Sequence, residues 1–184
     1  MKLFLKTGAL LFPFFAAAQP VVINNTSELR SWCANISKQH LISKDMKPYN
    51  WTSSGWIEGS VLNVKGQWKA DHKKQHVNCR ILKGAPEKYA FIETQSQTLP
   101  LSSYEDHTPV NKSEELVAWC KNRSAQQYVE KGLPLYNWQA EHWEKRDFLY
   151  VKGTWKVNNL TQIINCRVKK GLSEKYALIE MIKK

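Results

Sequence analysis

Along the first third of the chain, Leu29, Trp32, Cys33, Ile36 and His40 recur at i, i+3, i+4, i+7 and i+11. That is one face of a 3.6-residue period, and Thr26-Ser27-Glu28 before it suits a helix start, so the spacing predicts a helix over roughly Ser27 to Ser43. The period then drops to two. Leu62, Val64, Gly66 and Trp68 alternate with Asn63, Lys65, Gln67 and Lys69, and Val77, Cys79 and Ile81 alternate with Asn78 and Arg80. Such alternation is expected of antiparallel strands with one face on a core and one in water. The predicted strands are Val61 to Lys69, Val77 to Leu82 and Lys88 to Glu93, with a further one in the Trp-rich stretch Tyr49 to Trp56.

The same succession occurs again. Shifted by 87 positions, residues 24–93 fall on residues 111–180 without a gap, and 31 of the 70 aligned positions are identical. A second helix is expected over Glu114 to Lys131, with Leu116, Trp119 and Cys120 behind Ser113, and Gly132 and Pro134 as stop signals. The expected fold class is α+β: a tandem duplication of a small disulfide-stapled unit, each with one helix packed on a three- to four-stranded antiparallel sheet. The units span 24–93 and 111–180. Residues 94–110, with two prolines and many hydroxyl side chains, read as a linker.

The ends and the cysteines bear on compartment. Lys2 and Lys6, a short apolar run to Phe15 and then Ala16-Ala17-Ala18 have the pattern of a secretory signal peptide over residues 1–18. The uninterrupted apolar run is well short of the ~20 residues needed to cross a bilayer, so no transmembrane span is expected. The expected location is secreted or periplasmic. The four cysteines, Cys33, Cys79, Cys120 and Cys166, form two pairs related by the same shift of 87. A unit able to stand alone carries its own bridge, which favours Cys33 with Cys79 and Cys120 with Cys166. Zinc is disfavoured, because no C-x-x-C or paired-histidine spacing accompanies them.

Charge and chemistry narrow the function. The formal charge is +11, or +9 once Lys2 and Lys6 are removed, and both units are basic. Such a chain is drawn to anionic partners. No histidine is shared by the two units: His40, His72, His76 and His142 align with Gln127, Asn159, Ile163 and Gly55, and His107 lies in the linker. A repeated catalytic or metal site therefore cannot use histidine. No hydrolase elbow, zinc-protease, phosphate-loop or dinucleotide motif occurs, and no cofactor is expected. All eight tryptophans are repeated, as are Glu28, Glu87 and Glu93.

The candidate ligand-binding residues follow from the repeated strand pattern. Lys65, Lys69, Arg80 and Lys88, with Lys152, Lys156, Arg167 and Lys175, are expected on outward strand faces. Tyr49, Trp51 and Trp56, with Tyr136, Trp138 and Trp143, lie in a polar segment and are candidates to line a groove, with core filling the leading reading for Trp51 and Trp56. The expected function is an exported, non-enzymatic binding protein whose partner is an anionic polysaccharide, a lipid headgroup or an acidic protein. The alternatives are a secreted inhibitor or protein-interaction module using an aromatic sheet face, and a hydrolase built on His142 with Glu141 or Glu144. Seven N-x-S/T sequons, beginning with Asn24 and Asn25, matter only in a glycosylating host.

Overall fold

The computed structural model describes residues 21–94 and 108–183. The expected signal peptide and nearly all of the expected linker lie outside these residues. The fold is mixed α+β, with two helices, three antiparallel sheets and two disulfides. In chain order the elements are β1 (Val22–Ile23), α1 (Thr26–Ile42), β2 (Pro48–Glu58), β3 (Val61–Ala70), β4 (Lys73–Leu82), β5 (Ala85–Pro86) and β6 (Phe91–Thr94). Then come α2 (Ser113–Glu130), β7 (Tyr136–Lys145), β8 (Phe148–Val157), β9 (Leu160–Lys169) and β10 (Leu178–Lys183). Short 3-10 turns at Glu87–Tyr89 and Glu174–Tyr176 precede β6 and β10.

One four-stranded sheet has the order β2-β3-β4-β6 and the other the order β7-β8-β9-β10. Strands β1 and β5 form a two-stranded clasp, Val22 opposite Pro86, and the bridge of Pro109 to Ser173 occupies the corresponding place in the second half. The β3–β4 and β8–β9 hairpins turn on Asp71-His72 and Asn158-Asn159, all four with positive φ, as tight two-residue hairpins require. His72 thus sits in a turn and His76 on a strand, so no helix presents the two together.

The cap of helix α1 lies one residue before the hydroxyl cluster: Asn25 Oδ1 accepts from the amides of Ser27 (3.0 Å) and Glu28 (2.9 Å). At α2 the carboxylate of Glu115 accepts from the amides of Asn111 (2.8 Å) and Lys112 (3.2 Å). Those backbone donors, the one on Asn111 foremost, hold the carboxyl below its ordinary range.

Leu29, Cys33, Ser37 and Leu41 form the buried stripe of α1, laid over the inner faces of β2, β3 and β4. The polar member is satisfied inside the core. Ser37 Oγ donates to the carbonyl of Cys33 (2.6 Å) and accepts from Trp68 Nε1 (2.9 Å). In the second half Trp155 Nε1 donates to Ser124 Oγ (3.0 Å). Cys33 is bridged to Cys79 and Cys120 to Cys166, so each helix is tied at its middle to the third strand of its sheet.

The second helix faces two ways. Leu116, Cys120 and Ser124 belong to the stripe over its own sheet, while α2 also packs against β4, β6 and the 3-10 turn of the first half. The layers therefore run α1, first sheet, α2, second sheet. Leu135, at the exit of α2, is fully buried, and its carbonyl accepts from the Ser60 amide (2.7 Å), locking the β2–β3 turn to the second half.

Candidate functional site

Each four-stranded sheet has an inner face, towards its own helix, and an outer face. Cross-strand register places Lys69, Lys65 and Asn63 of β3 on the outer face of the first sheet, beside Lys74, Asn78 and Arg80 of β4 respectively. On the second sheet Lys156, Lys152 and Tyr150 take the corresponding places, with Thr161, Asn165 and Arg167 beside them. Lys65, Lys69, Lys152 and Lys156 are all exposed. Lys65 Nζ stands 5.6 Å from the ring centre of Trp56, which register also puts on the outer face. Ammonium groups over aromatic rings are mildly stabilised and remain open to an anion.

The other two cations of the first unit are placed differently. Arg80 lies at the junction of the halves: its guanidinium is 5.4 Å from the Phe91 ring centre and 3.8 Å from a Glu93 oxygen, and Nη1 donates to the Glu130 carbonyl (3.4 Å). Lys88 Nζ is 3.3 Å from Glu174 Oε2, an ion pair between the halves. These two residues bind the halves together; Arg80 lies on the same outer face as Lys65 and Lys69 but, unlike them, is part-buried there. Their counterparts Arg167 and Lys175 are exposed, the ammonium of Lys175 standing 5.2 Å from the Tyr176 ring centre.

The aromatic candidates separate as well. A bulge between Tyr49 and Thr52, with Asn50 at φ 51°, leaves Tyr49 outward and turns Trp51 to the inner face. There its ring covers Gly66 and meets Trp68 at 5.0 Å between centres. Trp138 repeats this over Gly153 against Trp155 at 4.9 Å, after the same bulge at Asn137. Trp51 and Trp138 thus pack half-buried against the cores, on the face opposite Lys65, Lys69, Lys152 and Lys156. Tyr49, Trp56, Tyr136 and Trp143 remain exposed.

Two features were not read from the sequence. Trp143 stacks on Tyr150, 5.5 Å apart and 3° from parallel, and Phe148 stands 6.4 Å from Tyr150. The rings of Trp143 and Tyr150 border a groove of about 420 Å³ running past Arg167 and Leu178. The available signal was the exchange of Val61 and Asn63 in the first unit for Phe148 and Tyr150 in the second. The other feature is a hydroxyl–imidazole pair, with Nδ1 of His142 2.8 Å from Ser113 Oγ. Glu141 neighbours His142 on a strand and so projects to the opposite face. Glu144 is engaged by Lys170 at 3.1 Å. The pair thus has no carboxylate from these two residues to orient the imidazole, which a Ser–His nucleophile needs. Among the described residues no group of three or more His, Cys, Asp or Glu gathers to hold a metal ion, and no helix is long and apolar enough to cross a membrane. Comparison of the chain with protein-family models, with curated proteins and with solved structures finds no match.

Proposed function

We propose that the chain is an exported, non-enzymatic binding protein, built by tandem duplication of one disulfide-stapled α+β unit, and that it takes an anionic macromolecule along the lysine rows of its two outer sheet faces. One observation carries the reading: Lys69 and Lys74 lie directly opposite each other on neighbouring strands, with exposed Lys65 further along the same face. Like charges directly opposite are unfavourable, and a bound anion relieves them. Lys65 and Lys69 are four residues apart, which on a strand is about 13 Å, a span suited to successive charged groups of a polymer. Lys152 and Lys156 supply a second row. The disulfides fit an oxidising compartment.

The test replaces Lys65, Lys69, Lys152 and Lys156 with glutamine, against a control variant that neutralises Lys38, Lys44, Lys121 and Lys131. Retention on immobilised heparin is measured at several salt concentrations. The expected result is that the face variant elutes at clearly lower salt than the control and shows a shallower dependence of affinity on salt, because fewer counterions are displaced. Equal losses in the two variants would reduce the interaction to a diffuse field of the whole chain.

A further inference from the structure

The two outer sheet faces are not equally covered. On the first sheet α2 and the chain just after it cover part of the outer face, and Val61 is only 3% exposed. Its counterpart on the second sheet, Phe148, is 40% exposed, and Leu178, which takes the place of half-buried Phe91, is 56% exposed. The helices show the mirror of this asymmetry. Val129 of α2 is 1% exposed, whereas Ile42 at the same place on α1 is 52% exposed. Each end of the four-layer stack therefore presents apolar surface whose counterpart inside the molecule is buried against the other half.

We propose that these two ends fit each other, and that a second copy of the chain lays its α1 on the outer face of the second sheet as α2 lies on the first. The partner is specified by carrying the internal junction forward by one unit. The Lys88–Glu174 ion pair becomes Lys175 of one copy with Glu87 of the next, with both charges preserved. Arg80, whose guanidinium carbon lies 3.5 Å from a Cβ built on Gly132, becomes Arg167, and Gly132 becomes Asp45, so a close approach gains an opposite charge. Tyr136, packed on Gly59, becomes Tyr49 facing Arg146, whose Cβ at that place would lie 2.5 Å from the carbonyl at the Leu135 position, so this edge of the junction must open where two copies meet. The exchange of Ala125 for Lys38 brings a cation to a face that bears Glu141 and Glu180.

Such a contact joins unlike surfaces. It leaves the second copy with its own open sheet face, so addition continues head to tail instead of stopping at a symmetric pair. Lys152 and Lys156 stay accessible in the assembly if they follow Lys65 and Lys69, which remain exposed beside the internal junction. The long-range charge of the chain opposes association, and about 0.3 M salt screens it to within a few ångströms.

The test measures the oligomeric state of the full chain with its disulfides intact, by sedimentation velocity at about 0.3 M salt. The wild type is expected to show an average mass that keeps rising with concentration past that of a dimer. Ile42→Asp blocks one end and Leu178→Asp the other, and each is expected to weaken association by at least about tenfold, as loss of a central apolar contact does. Mixed together, the two variants retain one intact pair of ends and are expected to form a 1:1 complex that grows no further. Both substitutions are at exposed side chains, and near-UV circular dichroism verifies folding. Independently of any variant, carbodiimide cross-linking of mixed 15N-labelled and unlabelled wild type is expected to give a Glu87–Lys175 peptide between copies beside a Lys88–Glu174 peptide within one. A strictly monomeric wild type, a mass that saturates at two, failure of the variants to pair, or a Glu87–Lys175 cross-link absent from the between-copy products would each overturn the proposal.

Discussion

Replacing Gly66 by alanine tests the tryptophan packing at the centre of the first unit. In an ordinary strand this exchange is favourable, because glycine loses more backbone freedom on folding, by about 0.5–1 kcal/mol. Here the added Cβ would be driven into the six-membered ring of Trp51, overlapping Cη2 and lying 2.6 Å from Cζ3. Carbon atoms need roughly 3.5 Å. The neighbouring strand fixes the backbone at Gly66, so the ring must move. Displacing it costs the tilted ring contact with Trp68, about 0.5–1.5 kcal/mol, and the overpacking strain of about 1–3 kcal/mol. Trp51 is half-buried and can swing towards solvent, which limits the loss. The net expectation is a destabilisation of about 2 kcal/mol, or a fall in melting temperature of about 4–8 °C for a chain of this size. Thermal unfolding followed by near-UV circular dichroism reads both the stability and the tryptophan environment. Adding Trp51→Ala should abolish the penalty, since the same alanine then meets empty space. An unchanged or raised melting temperature for Gly66→Ala alone would refute the close approach of ring and backbone.

Other expectations are more local. Ser37→Ala leaves the buried Trp68 Nε1 without its acceptor and should cost about 1–3 kcal/mol in chemical denaturation, with Ser124→Ala behaving alike at Trp155. Removing the Cys33–Cys79 bridge by double serine substitution should cost about 4 kcal/mol in the chain-entropy account for a 46-residue separation, measured by urea unfolding of the oxidised and substituted proteins. Burial foremost, and then the charge of Glu174, raises the pKa of Tyr89. The folded state therefore holds a proton that the unfolded chain releases near pH 10, so stability should fall as pH rises beyond about 10. Tyr89→Phe should flatten that decline in pH-dependent melting.

What could be read from the sequence was what depends on local period. The alternation of Leu62, Val64, Gly66 and Trp68 correctly orients β3, and the i, i+4 recurrence of Leu29 and Cys33 orients α1, because each pattern reports the face turned to its own core, although Val61 and Asn63 on the other face of β3 are buried as well. For Trp51 the sequence leaves core filling and groove lining both open, because a period of two counted from Tyr49 puts the two residues on one side while the size of the ring argues for burial. The extra residue at the Asn50 bulge breaks that count, and asparagine's tolerance of positive φ was its only mark in the sequence. Arg80 and Lys88 were grouped with Lys65 and Lys69 because aligning the units treats both as equally solvated. Stacking removes that equivalence by inserting α2 against the first sheet. The exchanges Lys38 to Ala125 and Ile42 to Val129 record that burial, but they acquire meaning only once the helix is known to have two neighbours.

The bridges have a bearing on how the chain is made. Each joins cysteines that are consecutive in sequence, and 41 positions separate Cys79 from Cys120. A chain emerging amino end first brings Cys33 and Cys79 together while the second pair is still to come. An oxidase that links each thiol to the next available one thus produces the native connectivity directly. The two other pairings, one crossed and one nested, become accessible only if the first link is delayed, so maturation should depend more on the rate of oxidation than on later reshuffling.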